Sequence, residues 1–141
     1  MTTAVHNLDH ALNTAKQWLK DIQQELHYED QTQVYRAVRA VLQSLRDRLP
    51  VNEAADLGSE LPLVLAGVYY SGWHPANKPE KMESKEEFYN HVKQGLGNPE
   101  LDPKHVTDGV LKAISKKISS GEMKDIRSNF PEKLLSIFPQ N

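Results

Sequence analysis

Apolar residues recur along the first part of the chain at the three- and four-residue spacing of an α-helix. They form one stripe that no Pro or Gly interrupts: Leu8, Leu12, Ala15, Leu19, Ile22 and Leu26. A helix with a single apolar stripe packs that face against other elements and leaves its remaining surface to solvent. The same spacing predicts a second helix over residues 31–49, which Pro50 ends.

Shorter helices follow, each next to a residue that favours a helix end. We expect Asn52 to cap a third helix that runs to Glu60, because Asn accepts hydrogen bonds from free backbone N–H groups. The apolar run LPLVLAGVYY predicts a short fourth helix after the corner at Pro62. Residues 71–83 carry two Pro and one Gly among polar residues, and this composition predicts a loop.

Helical signals return in the second half of the chain. Ser84 and Glu87 have the spacing of a capping box, and the helix that they open is expected to end near Gly95 or Gly97. Later signals predict two more helix starts and a final corner: the pair Asp102-Pro103, a cap at Ser120, and Pro131.

The two halves match each other at a constant offset, which is the distance from Val41 to Val110. Apolar, charged and proline positions agree together, in pairs such as Leu45 with Ile114, Arg48 with Lys117, Glu53 with Glu122, Asp56 with Asp125 and Pro62 with Pro131. Such agreement predicts an internal duplication. We therefore expect one all-α domain over residues 1–141, a compact bundle of about eight helices. It would contain two tandem pseudo-symmetric four-helix repeats, over about 8–70 and 84–139, and a linker over about 71–83.

Composition narrows the classes of function. A formal charge of −2 leaves no basic surface of the kind that binds nucleic acid. The chain has no cysteine, which excludes disulfides and thiolate zinc sites and fits a reducing cytoplasm. The N-terminal residues do not resemble a signal peptide, and the longest uncharged apolar run, 61–73, is too short to span a membrane. We expect a soluble cytoplasmic protein.

Charged residues that recur in both halves are the first candidates for chemistry. The two sets are Arg48, Glu53 and Asp56, and their counterparts Lys117, Glu122 and Asp125. Paired carboxylates can act as acid and base when one cleft holds them. A structural role explains the recurrence better, because a Glu in the first turn of a helix is favourable. Each Asp would then pair with the basic residue that ends the preceding helix, so we interpret both sets as structural corner pairs.

Residues present in one half only are better candidates for a specific role. The segment YYSGWHP holds Tyr69, Tyr70, Trp73 and His74, and Lys78 follows it. Aromatic side chains with polar tips often anchor a partner or ligand, and they also fasten loops to a core. All five residues are candidates for binding a ligand or partner. We favour the structural interpretation for Tyr69 and Trp73, and leave the role of His74 open.

Histidine spacing does not predict a metal site. His6 and His10 share a helix face, as two metal ligands would, but the sequence offers no third ligand beside them. His27, His91 and His105 fall in unrelated contexts without a metal-binding motif. Because no phosphate-binding loop or nucleophile motif is present either, we predict no metal, no cofactor and no catalytic residue.

One long segment carries a family resemblance. AVRAVLQSLRDRLPVNEAADLGSELPLVLAGVYYSGWHPANKP resembles the bacterial family called domain of unknown function 2267, and KISSGEMKDIRSNFPEKLLSIF is similar to the usual ending of that family. The resemblance extends from about Leu8 to Phe138. It implies an all-helical bacterial cytoplasmic protein, and it implies no activity because the family has no assigned biochemistry.

Four functions stay open. The first is a non-enzymatic protein-interaction module that uses the YYSGWHP segment as its contact surface. The second is small-molecule binding in a groove between the two halves, with Trp73 and His74 at its mouth. An enzyme that uses His74 and membrane attachment through the fourth helix have less support, because no further catalytic motif or long apolar segment accompanies them.

Overall fold

The computed structural model describes residues 3–140, with side chains described from residue 5. Seven α-helices and one 3-10 helix follow one another, and the described residues contain no strand. The α-helices are α1 Thr3–Leu26, α2 Gln31–Arg48, α3 Val51–Ser59, α4 Leu63–Tyr70, α5 Lys85–Leu96, α6 Pro103–Ser115 and α7 Ser120–Ser128, and the 3-10 helix spans Glu132–Ile137. The predicted all-α fold is confirmed. Within residues 3–140, each helix is too short or too polar to cross a membrane.

Local signals placed most helix ends correctly. The Ser84 hydroxyl accepts from the Glu87 backbone N–H at 3.1 Å, so the predicted capping box forms. Asp102 caps α6 in the same way: its side chain accepts from the Lys104 backbone N–H at 3.1 Å. Helix α5 ends before Gly97, whose φ of 65° lies in the left-handed region that glycine adopts without strain.

Two predicted caps are wrong. Helix α3 starts one residue before Asn52, directly after Pro50, because Pro50 is extended with ψ of 154° and a helix can begin immediately after it. Ser119 rather than Ser120 caps α7, and its hydroxyl accepts from the Glu122 backbone N–H at 3.1 Å. Two adjacent serines have the same capping chemistry, so sequence alone does not separate them.

Helix α2 lies at the centre of the bundle. It packs on α5, α1, α6 and α4, while α1 also packs on α6, so both halves of the chain contribute to one core. Val41 and its counterpart Val110 are both fully buried. In each half two longer helices precede two short ones. The tandem pseudo-symmetry itself stays a prediction.

Helices α1 and α6 approach closely at Gly109. A Cβ atom there would lie 2.5 Å from Cδ2 of Leu26, which is 1% exposed. Because Leu26 has no solvent to move into, we expect Gly109→Ala to lower the free energy of unfolding by about 1–3 kcal/mol in urea denaturation. Gly67→Ala is the control, since no atom lies within 4 Å of the new Cβ. That change should leave stability equal or higher, and equal losses at both glycines would contradict the prediction.

Candidate functional site at the end of helix α2

The first two tyrosines of the YYSGWHP segment contact helix α3. Tyr69 is fully buried, its hydroxyl donates to the Ala54 carbonyl at 2.7 Å, and burial raises its pKa. Tyr70 is 36% exposed, and its ring lies so close to Gly58 that a Cβ there would clash with it. These contacts fasten the end of α4 to α3.

The remaining residues of the segment differ from one another in exposure. Trp73 packs partly against the core, 5.6 Å from the Tyr70 ring, and its buried indole N–H has no acceptor among the described residues. His74 is exposed and makes no hydrogen bond or ion pair with any described residue. Their role in binding a partner stays a prediction.

The two basic corner residues make contacts that the sequence did not predict. Arg48 donates to the Met82 carbonyl at 2.7 Å, and its guanidinium lies over the Phe130 ring. Lys117 pairs with Asp21 and lies over the Trp18 ring. Both long side chains therefore reach the other half of the molecule. Neither forms an ion pair with Asp56 or Asp125 in the described part of the chain.

Glu122 occupies the predicted position in the first turn of α7, but its environment is unfavourable to charge. The residue is 9% exposed, and its Oε1 atom has no hydrogen-bond partner among residues 3–140. Burial raises the pKa of Glu122 to about 7, and the nearby carboxylates of Asp56, Glu53, Glu60 and Asp125 act in the same direction. The favourable helix dipole is therefore outweighed at this position.

The last turn of α2 carries a buried ion pair. Arg46 is 5% exposed and Asp47 is 6% exposed, and they are joined by hydrogen bonds of 2.9 and 3.2 Å. Arg46 also donates to the carbonyls of Tyr69 and Ser71, each at 2.9 Å. Arg46 thus satisfies free carbonyls at the end of α4, which a helix end otherwise leaves to water.

Asp47 connects this pair to the linker and to α5. Its backbone carbonyl accepts from the Glu80 N–H at 2.7 Å, and its Oδ2 lies 3.3 Å from Nε2 of His91. Lys78 lies 3.1 Å from the Glu80 carboxylate and 4.0 Å from that of Asp47. Burial acts to raise the pKa of Asp47, but the hydrogen bonds with His91 and Arg46 hold it at about 2.

We call this set of side chains the polar clasp, because it holds the linker against α2 and α5. Its members are Ser44, Arg46, Asp47, Lys78, Glu80 and His91. The clasp brings an imidazole and two carboxylates within 4.8 Å of one another. It joins three distant parts of the chain into one polar site.

Comparison with known proteins assigns the chain to a family. The family model described as an uncharacterized conserved protein, DUF2267, matches residues 15–137. The chain belongs to the DUF2267 family. A comparison with curated proteins gave no match.

The polar clasp of this DUF2267 protein was missed by sequence reasoning, although one signal was present. In the offset that matches the two halves, Arg46 and Asp47 fall opposite Ser115 and Lys116. They are therefore specific to the first half, as the aromatic segment is. Lys78 was predicted as a binding residue, and the structure places it in the clasp with Glu80, at 11% side-chain exposure.

Two surface grooves of the DUF2267 protein have polar side chains in their lining. One of about 220 Å³ opens beside the clasp and includes Glu80, Met82, Glu87 and His91 in its lining. The other, of about 460 Å³, lies between α1 and α6, and neither Trp73 nor His74 lines it.

Proposed function

We propose that this DUF2267 protein is a non-enzymatic protein-interaction module of the bacterial cytoplasm. The observation that carries the proposal is the exposed start of the α1 stripe. Leu8 is 62% exposed and Leu12 is 47% exposed, whereas Ile22 and Leu26 on the same stripe are buried. Such an apolar helix face is typical of a surface that a partner covers.

This surface differs from the one that the aromatic segment suggested. Tyr69 lies inside the core and Trp73 packs partly against it, so both serve the fold. The exposed residues of that segment include Tyr70 and His74, and the segment lacks the aliphatic stripe that Leu8 and Leu12 form on α1. Residues 5–10 of α1 are exposed without exception.

The occupant that we propose is the same segment of a second copy, paired antiparallel. An apolar stripe is complementary to itself across a two-fold axis. Residues 3–14 carry Asp9 as their sole formal charge at pH 7, so self-association brings little like-charge repulsion. Antiparallel pairing also places opposite ends of the two helix dipoles together.

The expected dimer is weak. The 12-residue segment is about 18 Å long, so two crossed copies bury less than the roughly 1,200 Å² of a stable complex. We expect a monomer–dimer equilibrium that moves toward dimer at high micromolar concentration.

The experiment measures mass against concentration for the full chain by analytical ultracentrifugation. Replacement of Leu8 and Leu12 by Glu together should leave a monomer at every concentration, because the contact would then bury four charges. Leu135→Glu is the matched control, since Leu135 is 38% exposed on the 3-10 helix, which packs on α5. It should dimerise as the unmodified protein does. A wild-type monomer throughout, or a dimer that survives the double substitution, contradicts the proposal.

The groove between α1 and α6 supports a second candidate, small-molecule binding between the two halves. Its volume of about 460 Å³ falls within the usual range for ligand pockets, and Gln24 and His27 offer polar groups at its lining. Ligand-dependent thermal stabilisation that is lost in His27→Ala would support it. An enzyme that uses His74 gains no support, because that side chain makes no hydrogen bond or ion pair with an acid, base or nucleophile among the described residues.

A further inference from the structure

We propose that Asp47, Glu80 and His91 bind a divalent transition metal ion of the Zn²⁺ class, with three protein ligands and one position open to solvent. One ligand atom from each residue lies within 4.8 Å of the other two. A set of one imidazole and two carboxylates suits zinc, and three protein ligands with a free fourth position are typical of reactive zinc sites.

The distances between ligand atoms fit a tetrahedral ion. Zinc bonds of about 2.0–2.1 Å at tetrahedral angles place ligand atoms about 3.3–3.4 Å apart. Asp47 Oδ2 and His91 Nε2 are already 3.3 Å apart, and Glu80 Oε1 lies 3.7 Å from the same nitrogen. The carboxylate oxygens of Asp47 and Glu80 lie within 4.8 Å of each other. The Glu80 side chain is 40% exposed on the linker, so it is free to move closer to the other two ligand atoms.

The hydrogen bonds of Ser44 determine which nitrogen of His91 is available. The Ser44 hydroxyl donates its single hydrogen to the Ala40 carbonyl at 2.8 Å. It accepts at its 2.7 Å contact with Nδ1 of His91 when that nitrogen carries the hydrogen of the neutral ring. Nε2, which faces carboxylate oxygens of Asp47 and Glu80, is then the nitrogen available to a metal ion. Ligating histidines commonly have such a second partner, which orients the ring.

The carboxylate of Asp47 is also held in place. Arg46 binds both of its oxygens, at 2.9 and 3.2 Å, and is itself fixed by two backbone carbonyls. This leaves Oδ2 directed at His91, 3.3 Å from its Nε2. Partners of this kind orient the ligands of a metal site, and their loss typically weakens binding by about 10–100-fold.

Lys78 limits the affinity of the site. Its ammonium group lies 3.1 Å from Glu80 and 4.0 Å from Asp47, so it competes with a metal ion for the same two carboxylates. Lys78 can turn away toward solvent when a metal ion binds. If it stays in place, the affinity of the site for the ion is lower. Lys78→Met removes the competing charge and keeps most of the side-chain volume, so it should bind metal more tightly.

The site has a route to solvent. The groove of about 220 Å³ beside the clasp includes Glu80, Glu87, Asn90 and His91 in its lining. A hydrated ion can approach through it, and water can occupy the fourth position. This route completes the features that a metal site needs: ligand identity, spacing, second partners and access.

The experiment titrates Zn²⁺ into the chelator-treated protein by calorimetry, and Co²⁺ by visible absorption, which reports tetrahedral coordination. We expect one ion per chain. His91→Gln should abolish binding, Ser44→Ala should weaken it by about 10–100-fold through loss of ring orientation, and Lys78→Met should strengthen it. His74→Gln is the matched control, because this exposed histidine lies outside the clasp, and it should bind as the unmodified protein does.

Far-UV circular dichroism of each variant checks that it is folded. If His91→Gln does not fold, Glu80→Gln replaces it, since Glu80 is a partly exposed linker residue. The proposal is overturned if the wild-type protein binds neither ion. It is equally overturned if binding persists unchanged in both His91→Gln and Glu80→Gln, because the ion would then lie elsewhere.

Discussion

Asp47→Ala is expected to lower the free energy of unfolding by about 3–5 kcal/mol, which is the usual cost of removing one partner from a buried ion pair. Arg46 is 5% exposed and would keep its charge without its carboxylate partner. The same substitution removes the carboxylate that lies 3.3 Å from His91 Nε2 and one partner of Lys78. Urea denaturation monitored by circular dichroism measures the effect.

The matched control removes a carboxylate whose ion pair is exposed. Asp108 pairs with Lys104 at 2.9 Å on the surface of α6, where the two side chains are 49% and 67% exposed. Surface pairs at this spacing contribute about 0.3–0.5 kcal/mol, so Asp108→Ala should be nearly neutral. If Asp47→Ala were as mild as Asp108→Ala, the polar clasp would not be a stabilising feature of this fold.

The contribution of Asp47 should also depend on pH in a defined direction. Its pKa is lowered from the usual 3.8 to about 2 in the folded protein. The stabilisation is therefore complete above pH 3.8 and is lost as the pH falls toward 2. A shift of this size corresponds to about 2 kcal/mol. The difference in stability between the wild-type protein and Asp47→Ala should shrink by about that amount in acid.

The helices were predictable because their signals are local. The spacing of Leu19, Ile22 and Leu26 specifies a buried helix face, and Ser84 with Glu87 specifies a helix start, whatever the rest of the chain does. The same stripe gave no sign that Leu8 and Leu12 are exposed. An apolar stripe indicates that a helix face is suited to burial. How far along the helix that face is buried depends on the length of the helices that pack against it.

The polar clasp was not predictable in the same way. Asp47, Glu80 and His91 come from the end of α2, the linker and α5, and they meet because α2 packs against α5. No local pattern predicts which helix faces will pack together, so nothing in the sequence indicated that His91 lies beside two carboxylates. Lys78 was selected for its position beside the aromatic residues, whereas its contacts in the structure are with Glu80 and Asp47.

Glu122→Gln is expected to stabilise the protein at pH 8 and to have little effect at pH 5. Burial and neighbouring carboxylates raise the pKa of Glu122 from 4.5 to about 7 in the folded state. Between these values the folded protein holds a proton that the unfolded chain has lost, so the stability of the wild-type protein falls as pH rises from about 4.5 to 7. A glutamine cannot ionise, and that fall should be absent from the variant.

The expected gain in the free energy of unfolding at pH 8 is about 1–3 kcal/mol. Its upper limit is the full pKa shift of Glu122 converted at about 1.36 kcal/mol per pKa unit. Urea denaturation at both pH values measures this gain.

Glu86→Gln is the matched control, because Glu86 lies in the first turn of α5 and is exposed. It should lose a few tenths of a kcal/mol at both pH values, since it gives up only a favourable dipole contact. A gain at Glu122 that is equal at pH 5 and pH 8 would mean that the charge is not its cause. No gain at either pH would mean that the carboxylate is well solvated, and that the contact between α3 and α7 tolerates its acidic residues without strain.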